Sequence, residues 1–446
     1  MKTILILEDN EERIAAFQKA VAALGPEFEL KVWREALTMC AECEQFFPSA
    51  ALISLDHDLN PAPGVTSDPG TGVEVAQFLG DFLPVCPVII HSSNTDRVYS
   101  MHNELRFAGW IVDRVGPLGH DWIATSWRKR VTELLGECSN TWKVDLPSDH
   151  LARVERMKLS LDGLGLGDSL GEMLAYRAES ATDLVLKNDL PTGPWFHTDD
   201  TEMAISIAST LKCHGHLHQD ALAKRFVRRF ERDPDRGYGK MTRAQMREIM
   251  AGAKWRDTAA NAFGGQGSMG NGGAMRVAPL GAYFADDLER CADEARASSL
   301  VTHTHPEGIA GTIAVAIAAA LAWQMRQGPG RIEPFKFFEQ ILRLTPESKV
   351  RQGIVFASQL PGETPILAVT KSLGNGTLVT APDTVPFCLW IATNNSSHFV
   401  EALARTISAG GDCDTNAAIV GGIIALSAGR ESIPAEWPEA RERVRI

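Results

Sequence analysis

Two short acidic strings carry most of the chemistry this sequence is equipped to do. Gly410-Gly411-Asp412-Cys413-Asp414-Thr415 sets two carboxylates two residues apart, with a hydroxyl beside them, where a glycine-rich turn opens a small-residue helical pattern, residues 416–428. Carboxylates at a helix N-terminus are favoured by the dipole, and three hard oxygen ligands converging there suit Mg²⁺. The second string, His197-Thr198-Asp199-Asp200-Thr201, lies far upstream and opens the helical pattern 202–211. Neither half holds a metal well alone; Thr198, Asp199, Asp200, Asp412, Asp414 and Thr415 together would hold two ions. The plain alternative is helix capping, by Asp200 or Thr201 and by Asp414 or Thr415. A cap needs one side chain and each string offers three or four polar groups, so ligands are the better reading.

Three glycine- or histidine-rich strings lie between these two or before them. Residues 163–171 (GLGLGDSLG) contain a GxGxxG-like run and are expected as a loop; no parallel strand precedes them, which argues against a dinucleotide site. Ser268-Met269-Gly270-Asn271-Gly272-Gly273-Ala274-Met275-Arg276 is a better ligand loop, because its glycines let backbone N–H groups approach a phosphate. Thr302-His303-Thr304-His305 would allow zinc, but the neighbouring ligand sets are all oxygen and favour hydrogen bonding.

The elements that must position these residues fall into two groups. A chain of 446 residues suggests two or three domains. From residue 2 to about 136, apolar strand-like runs alternate with helical patterns, predicting an α/β doubly wound parallel sheet. Polar residues at its strand C-termini share one crevice, which would hold Glu8, Asp9, Asp56, His57, Asp58, His91 and Ser92. Residues 137–150 are polar and read as a linker. From 151 to 446 the patterns are helical throughout, predicting an all-α domain of ten or more helices. One uncharged run, 308–325, is long enough to cross a bilayer, but its Ala, Gly and Thr content fits a buried bundle helix better.

Composition narrows the class. A hydrophobic content of 44% with 22% charged residues is that of a soluble globular protein. The net charge of −12 excludes a general nucleic-acid binder. Cys40-x-x-Cys43 is the one closely spaced pair among eight cysteines and has no second pair, so ordinary thiols are expected. With no signal peptide expected after Met1, free thiols point to the cytoplasm.

The N-terminal part resembles a response-regulator receiver domain: Glu8 and Asp9 match its metal-binding acids, Asp56 its phosphoacceptor and Ser92 its strand-four hydroxyl. The receiver lysine–proline pair is missing from residues 111–117, where Arg114 is a loose substitute. Asp56-His57-Asp58 with His91-Ser92-Ser93-Asn94 is more similar to the receiver-like family proposed to process cyclic phosphates. That resemblance makes His57 and His91 acid/base or phosphate-binding groups; the alternative is that both only tie loops together.

Residues 152–438 resemble the ADP-ribosylglycohydrolase family. The resemblance is carried, in order, by Gly167-Asp168-Ser169-Leu170-Gly171, Thr198-Asp199-Asp200-Thr201, Gly237-Tyr238-Gly239, residues 268–279, Thr302-His303, Asp383-Thr384-Val385-Pro386 and residues 410–415. It implies an all-α fold with two Mg²⁺ ions held by Thr198, Asp199, Asp200, Asp412, Asp414 and Thr415. It places Asp168, Ser268, Gly270, Asn271, Gly272 and His303 at the ADP-ribose pocket and makes Asp200 or Asp412 the acid or base. Many members carry a glutamate where this chain has Ala175; Glu172 and Glu179 lie one turn to either side, and Glu172 is expected to take that part unless the linkage differs. The implied activity is Mg²⁺-dependent cleavage at C1″ of an ADP-ribosylated protein, nucleic-acid end or small molecule, with no membrane partner. The alternatives are a hydrolase switched through phosphorylation of Asp56, and a module that binds ADP-ribose without cleaving it.

Overall fold

The apolar N-terminal run becomes β1 (Lys2–Leu7), the second strand of a five-stranded sheet. In the computed structural model, which describes residues 1–61, 64, 67–137, 146–327, 334–444 and 446, β1 pairs with β2 (Phe28–Trp33) and β3 (Ala50–Leu55). Beyond β3 lie β4 (Val88–Ile90) and β5 (Val112–Arg114), all parallel, in the order β2-β1-β3-β4-β5. The connecting helices are α1 (Glu11–Ala22), α2 (Ala36–Glu42), α3 (Gly72–Leu79), α4 (Thr95–Phe107) and α5 (Arg128–Glu137). Alternate residues of β1 enter different cores, Ile4 and Ile6 with Phe17 and Trp127, Leu5 and Leu7 with Trp33 and Met101. Two covered faces explain why the strand reads as an unbroken apolar run. The α/β expectation holds.

Leu7, Leu55 and Ile90 are register partners across β1, β3 and β4. The residue after each is polar, so Glu8, Asp56 and His91 emerge side by side at the sheet's C-terminal edge.

The chain divides into two compact units, Met1–Asp145 and Leu146–Ile446; most of the polar stretch 137–150 lies outside the described residues. The second unit is helical throughout. Its axis is a pair: α6 (His150–Leu174) packed along its length on the helix Cys413–Ala428. Here the expectation of a loop at 163–171 is wrong, because those residues lie inside α6. Their glycines serve contact instead. A Cβ on Gly163 would sit 2.4 Å from the Gly421 carbonyl oxygen, one on Gly167 1.9 Å from that of Ala417, and one on Gly171 2.4 Å from that of Cys413. Four-residue spacing puts all three on one face, and the two backbones touch there.

The helix Pro306–Gln327 is long and apolar enough to cross a membrane, and 83% of its apolar window is buried inside this unit. Packing explains its composition.

Candidate active site

Both acidic strings begin helices, and only one of them is a cap. Thr198 is the N-cap of the helix Asp199–His214, its hydroxyl accepting from the Asp200 amide at 3.4 Å. Asp412 is the N-cap residue of Cys413–Ala428 yet makes no side-chain capping bond. Its Oδ2 accepts from Asn271 Nδ2 at 2.7 Å instead. The carboxylate is turned toward a neighbouring loop.

That loop and both helix starts line one cavity of about 520 Å³. Its wall includes Asp199, Asp200, Asp412, Asp414 and Thr415, together with Ser268, Gly270, Asn271, Gly272 and His303. Among the described residues no three of these acids bring their ligand atoms all within 4.8 Å of one another; they ring the space rather than fill it. Burial first, and mutual repulsion second, govern their protonation. Burial, then the charges of neighbouring acids such as Asp414, holds Asp199 and Asp200 well above the usual carboxylate range and pushes Asp412 up to about 7. Asp200 Oδ1 is buried with no hydrogen-bond partner.

Three predicted residues stand outside the wall. Asp168, expected to touch ligand, is fully buried behind it and accepts from the Thr198 and Thr201 amides at 3.0–3.1 Å and from both hydroxyls. Burial pushes it up to about 6. It anchors the upstream string. Thr198, expected as a metal ligand, has its hydroxyl 2.9 Å from Asp168 and 3.1 Å from Asp200. Glu172, expected as a catalytic group, is exposed on the last turn of α6; burial of part of its carboxyl and the charge of Asp414 raise its pKa. The side chain of Glu179 lies outside the described residues.

The loop is tied down internally. The Gly270 amide donates to Ser268 Oγ at 3.2 Å and that of Asn271 to the Val379 carbonyl at 3.4 Å, so neither is offered to a phosphate. A side chain on Gly272 would meet the His303 ring at 2.8 Å, which accounts for that glycine without any need for an unusual φ. His303 Nδ1 pairs with Thr302 Oγ1 at 2.7 Å, and burial pushes the ring down to about 3, so it is a neutral hydrogen-bonding group.

Sequence reasoning passed over Arg276. It is fully buried, donates to Thr302 Oγ1 at 2.7 Å, lies over Phe226, and is pushed down by burial to about 9 against the pull of Asp199 and Asp200. The signal was present: a lone arginine inside the run Ala274-Met275-Arg276-Val277-Ala278. Also unforeseen is a clamp from the end of the unit. Ala440 O accepts from the Trp195 amide at 2.8 Å, and the Glu442 amide donates to Trp195 O at 2.9 Å. Arg236 binds both the Glu442 carboxylate and His197 O, and its own carbonyl accepts from the Asp199 amide.

In the N-terminal unit, Glu8, Asp56, His57, His91 and Ser92 are buried together. Asp9 is engaged by Asn60, and Asp58 is exposed and accepts from Asn94 at 3.3 Å. Arg13, not foreseen, reaches in from α1 to 3.1 Å from Asp56 and 3.5 Å from Glu8.

An all-helical unit whose acidic helix starts share one cavity with a glycine loop is the arrangement that the sequence resemblance implies. The ADP-ribosylglycohydrolase family model matches residues 149–446, and the chain belongs to that family, whose members are hydrolases and generally metal-dependent. It is 30% identical over 340 residues to ADP-ribosylhydrolase ARH3 of Bos taurus, covering 65% of this chain and 89% of that protein. To ADP-ribosylhydrolase ARH3 of Homo sapiens it is 29% identical over 334 residues, covering 65% and 90%. It is also 24% identical over 296 residues to ADP-ribosylarginine hydrolase Tri1 of Serratia proteamaculans strain 568, covering 64% and 74%.

Proposed function

We propose that the chain is a Mg²⁺-dependent hydrolase that releases ADP-ribose from a conjugated protein, nucleic-acid end or small molecule by cleaving the bond at C1″. The observation that carries this reading is the convergence of Asp199, Asp200, Asp412 and Asp414, from two helix starts, on a cavity that also holds the 268–273 loop and His303. Four carboxylates against one wall lysine, Lys240, and the buried Arg276 behind them are short of positive charge, and Asp200 Oδ1 has no donor to satisfy it. An all-oxygen donor set of this kind fits Mg²⁺. Asp199, Asp200, Asp412, Asp414 and Thr415 would hold two ions, with Thr198 supporting Asp200 from behind. Bound there, the ions supply Lewis acidity and a more acidic water.

The chain's own residues do the remaining work. Asn271 fixes Asp412 through one oxygen, and we assign Asp412 as the group that takes the proton from the attacking water. Asp200 stands across the cavity as the second acid–base candidate. Neutral His303 offers a hydrogen bond without a competing charge. Phe263, Met203, Met275 and Leu378 give the same cavity an apolar wall suited to a nucleoside. Glu172 lies outside that wall, so we give it no direct part.

The test is mass-spectrometric detection of free ADP-ribose from a panel of conjugates (arginine, serine, acetyl ester, nucleobase, phosphate end). We expect release that needs Mg²⁺, stops in EDTA, and falls by about 10²–10⁴-fold in Asp412→Asn. Tight ADP-ribose binding with no release from any member would instead make the unit a reader.

For the N-terminal unit the receiver-like resemblance supports processing of a ribose cyclic phosphate rather than a phosphorylation switch. Asp56 is 4% exposed and already paired with Arg13, a poor phosphoacceptor, and Arg114 at the end of β5 is exposed. Opening of a cyclic phosphate that is lost in His57→Ala supports this reading; an aspartyl phosphate on Asp56 after treatment with acetyl phosphate would replace it with the switch. No disulfide joins the seven described cysteines, which supports a reducing cytoplasmic setting.

A further inference from the structure

We infer that the N-terminal unit carries a second metal site of a different kind, in which Glu8, Asp56 and His91 hold one divalent transition-metal ion of the zinc class. Their ligand atoms all lie within 4.8 Å of one another, and among the described residues no other group of three His, Cys, Asp or Glu does so. The register of β1, β3 and β4 produces the grouping, since each residue directly follows one of three paired strand positions.

Two orphaned atoms point into this space. Glu8 Oε2 and His91 Nε2 belong to fully buried side chains and have no hydrogen-bond partner, although they lie only 3.4 Å apart. That separation is about what two ligand atoms show when each is ~2.0–2.1 Å from one tetrahedral ion. The other atoms of the three residues are already fixed. Glu8 Oε1 accepts from the Asn10 amide at 3.0 Å, and Asp56 Oδ1 from the His57 amide at 2.6 Å. His91 Nδ1 is 2.7 Å from Ser54 Oγ, which also accepts from Trp127 Nε1 at 3.0 Å. In the tautomer where Nδ1–H donates to Ser54, Nε2 keeps its lone pair and turns it toward Glu8, the outer-shell arrangement that orients ligating histidines. Phe17 and Trp122 wall the imidazole with apolar surface.

An imidazole with two carboxylates selects Zn²⁺, Mn²⁺ or Fe²⁺ over Mg²⁺, which prefers oxygen alone. The site therefore differs from the all-oxygen one of the helical unit. Arg13 is its competitor: the guanidinium sits beside Asp56 and Glu8, and with the side chain 35% exposed a bound ion would displace it toward solvent. The inference does not rest on the cyclic-phosphate reading, because a chain that binds zinc here and leaves cyclic phosphates intact upholds the site and overturns only that reading.

The test is calorimetric titration of the full chain with Zn²⁺ in millimolar Mg²⁺, with bound metal counted after dialysis by plasma mass spectrometry. We expect one retained zinc per chain, lost in His91→Gln and in Glu8→Gln. Ser54→Ala should bind about 10–100-fold more weakly. Arg13→Leu should bind several-fold more tightly, a gain that damage to the fold cannot produce. No retained zinc, zinc retained equally in His91→Gln, or no tightening in Arg13→Leu would each overturn the site.

Discussion

Asp168 has the residue-scale arrangement with the sharpest consequence. One buried carboxylate accepts from two amides and two hydroxyls of the turn that presents Asp199 and Asp200. Asp168→Asn keeps the shape but turns an NH₂ group against those donors whichever way the amide is flipped. Hydrogen bonds to a charged group are worth about 1.5–3 kcal/mol each, so we expect about 2 kcal/mol of stability lost in a urea titration, with weaker ADP-ribose binding. An unchanged urea midpoint would remove Asp168 from this role. Local sequence revealed that Asp168 mattered but not how, because its partners lie thirty residues on and only the fold unites them. Arg276 was missed for the opposite reason: its loop drew attention to the glycines, while the arginine's burial depends on helices distant in the chain.

At the scale of elements, what could be read from sequence was set by period and length. The alternating strands and helices of the first unit were legible because the parallel sheet is covered on both faces, which leaves continuous apolar runs. The helical unit was legible as helical, but α6 was cut short. A run of glycines looks like a loop when read alone, and what makes it a helix is the helix Cys413–Ala428 pressed against it. Gly167→Ala should therefore cost about 3 kcal/mol, since its Cβ would overlap the Ala417 carbonyl. It should also weaken Mg²⁺ binding by displacing the helix that starts with Asp412. Gly136→Ala in α5, where nothing lies within 4 Å of the new Cβ, should be neutral or slightly stabilising by thermal melt. Equal behaviour of the two variants would refute the packing account. The acidic strings themselves were legible because they offer more polar groups than a cap requires; that Asp412 does not cap goes with its bond to Asn271, which the sequence does not show.

For the whole molecule, the test is the dependence of stability on pH. Asp168, Asp199, Asp200 and Asp412 all bind protons more tightly in the folded chain than in the unfolded one. Without ions, the stability they contribute is present in acid and is lost as pH rises through their folded values, about 6 for Asp168 and about 7 for Asp412. Mg²⁺ binds the deprotonated form. The difference in melting temperature between Mg²⁺ and EDTA should therefore widen from pH 5 to pH 8, and a constant gap would argue against ions among these acids. Because each unit has its own cores, two thermal transitions are expected, with only that of the helical unit following Mg²⁺.

The clamp of Ala440 and Glu442 on the segment before Thr198 bears on how the protein is made. The first acidic string leaves the ribosome long before the residues that hold its approach in place. At about 5–20 residues per second, a nascent chain spends on the order of ten seconds or more with that string exposed and its counterpart unmade. A break in the chain between Thr415 and Ala440 would leave both acidic strings intact and still slacken the path into the first of them. Activity therefore reports whether residues 440–442 have joined the helical unit.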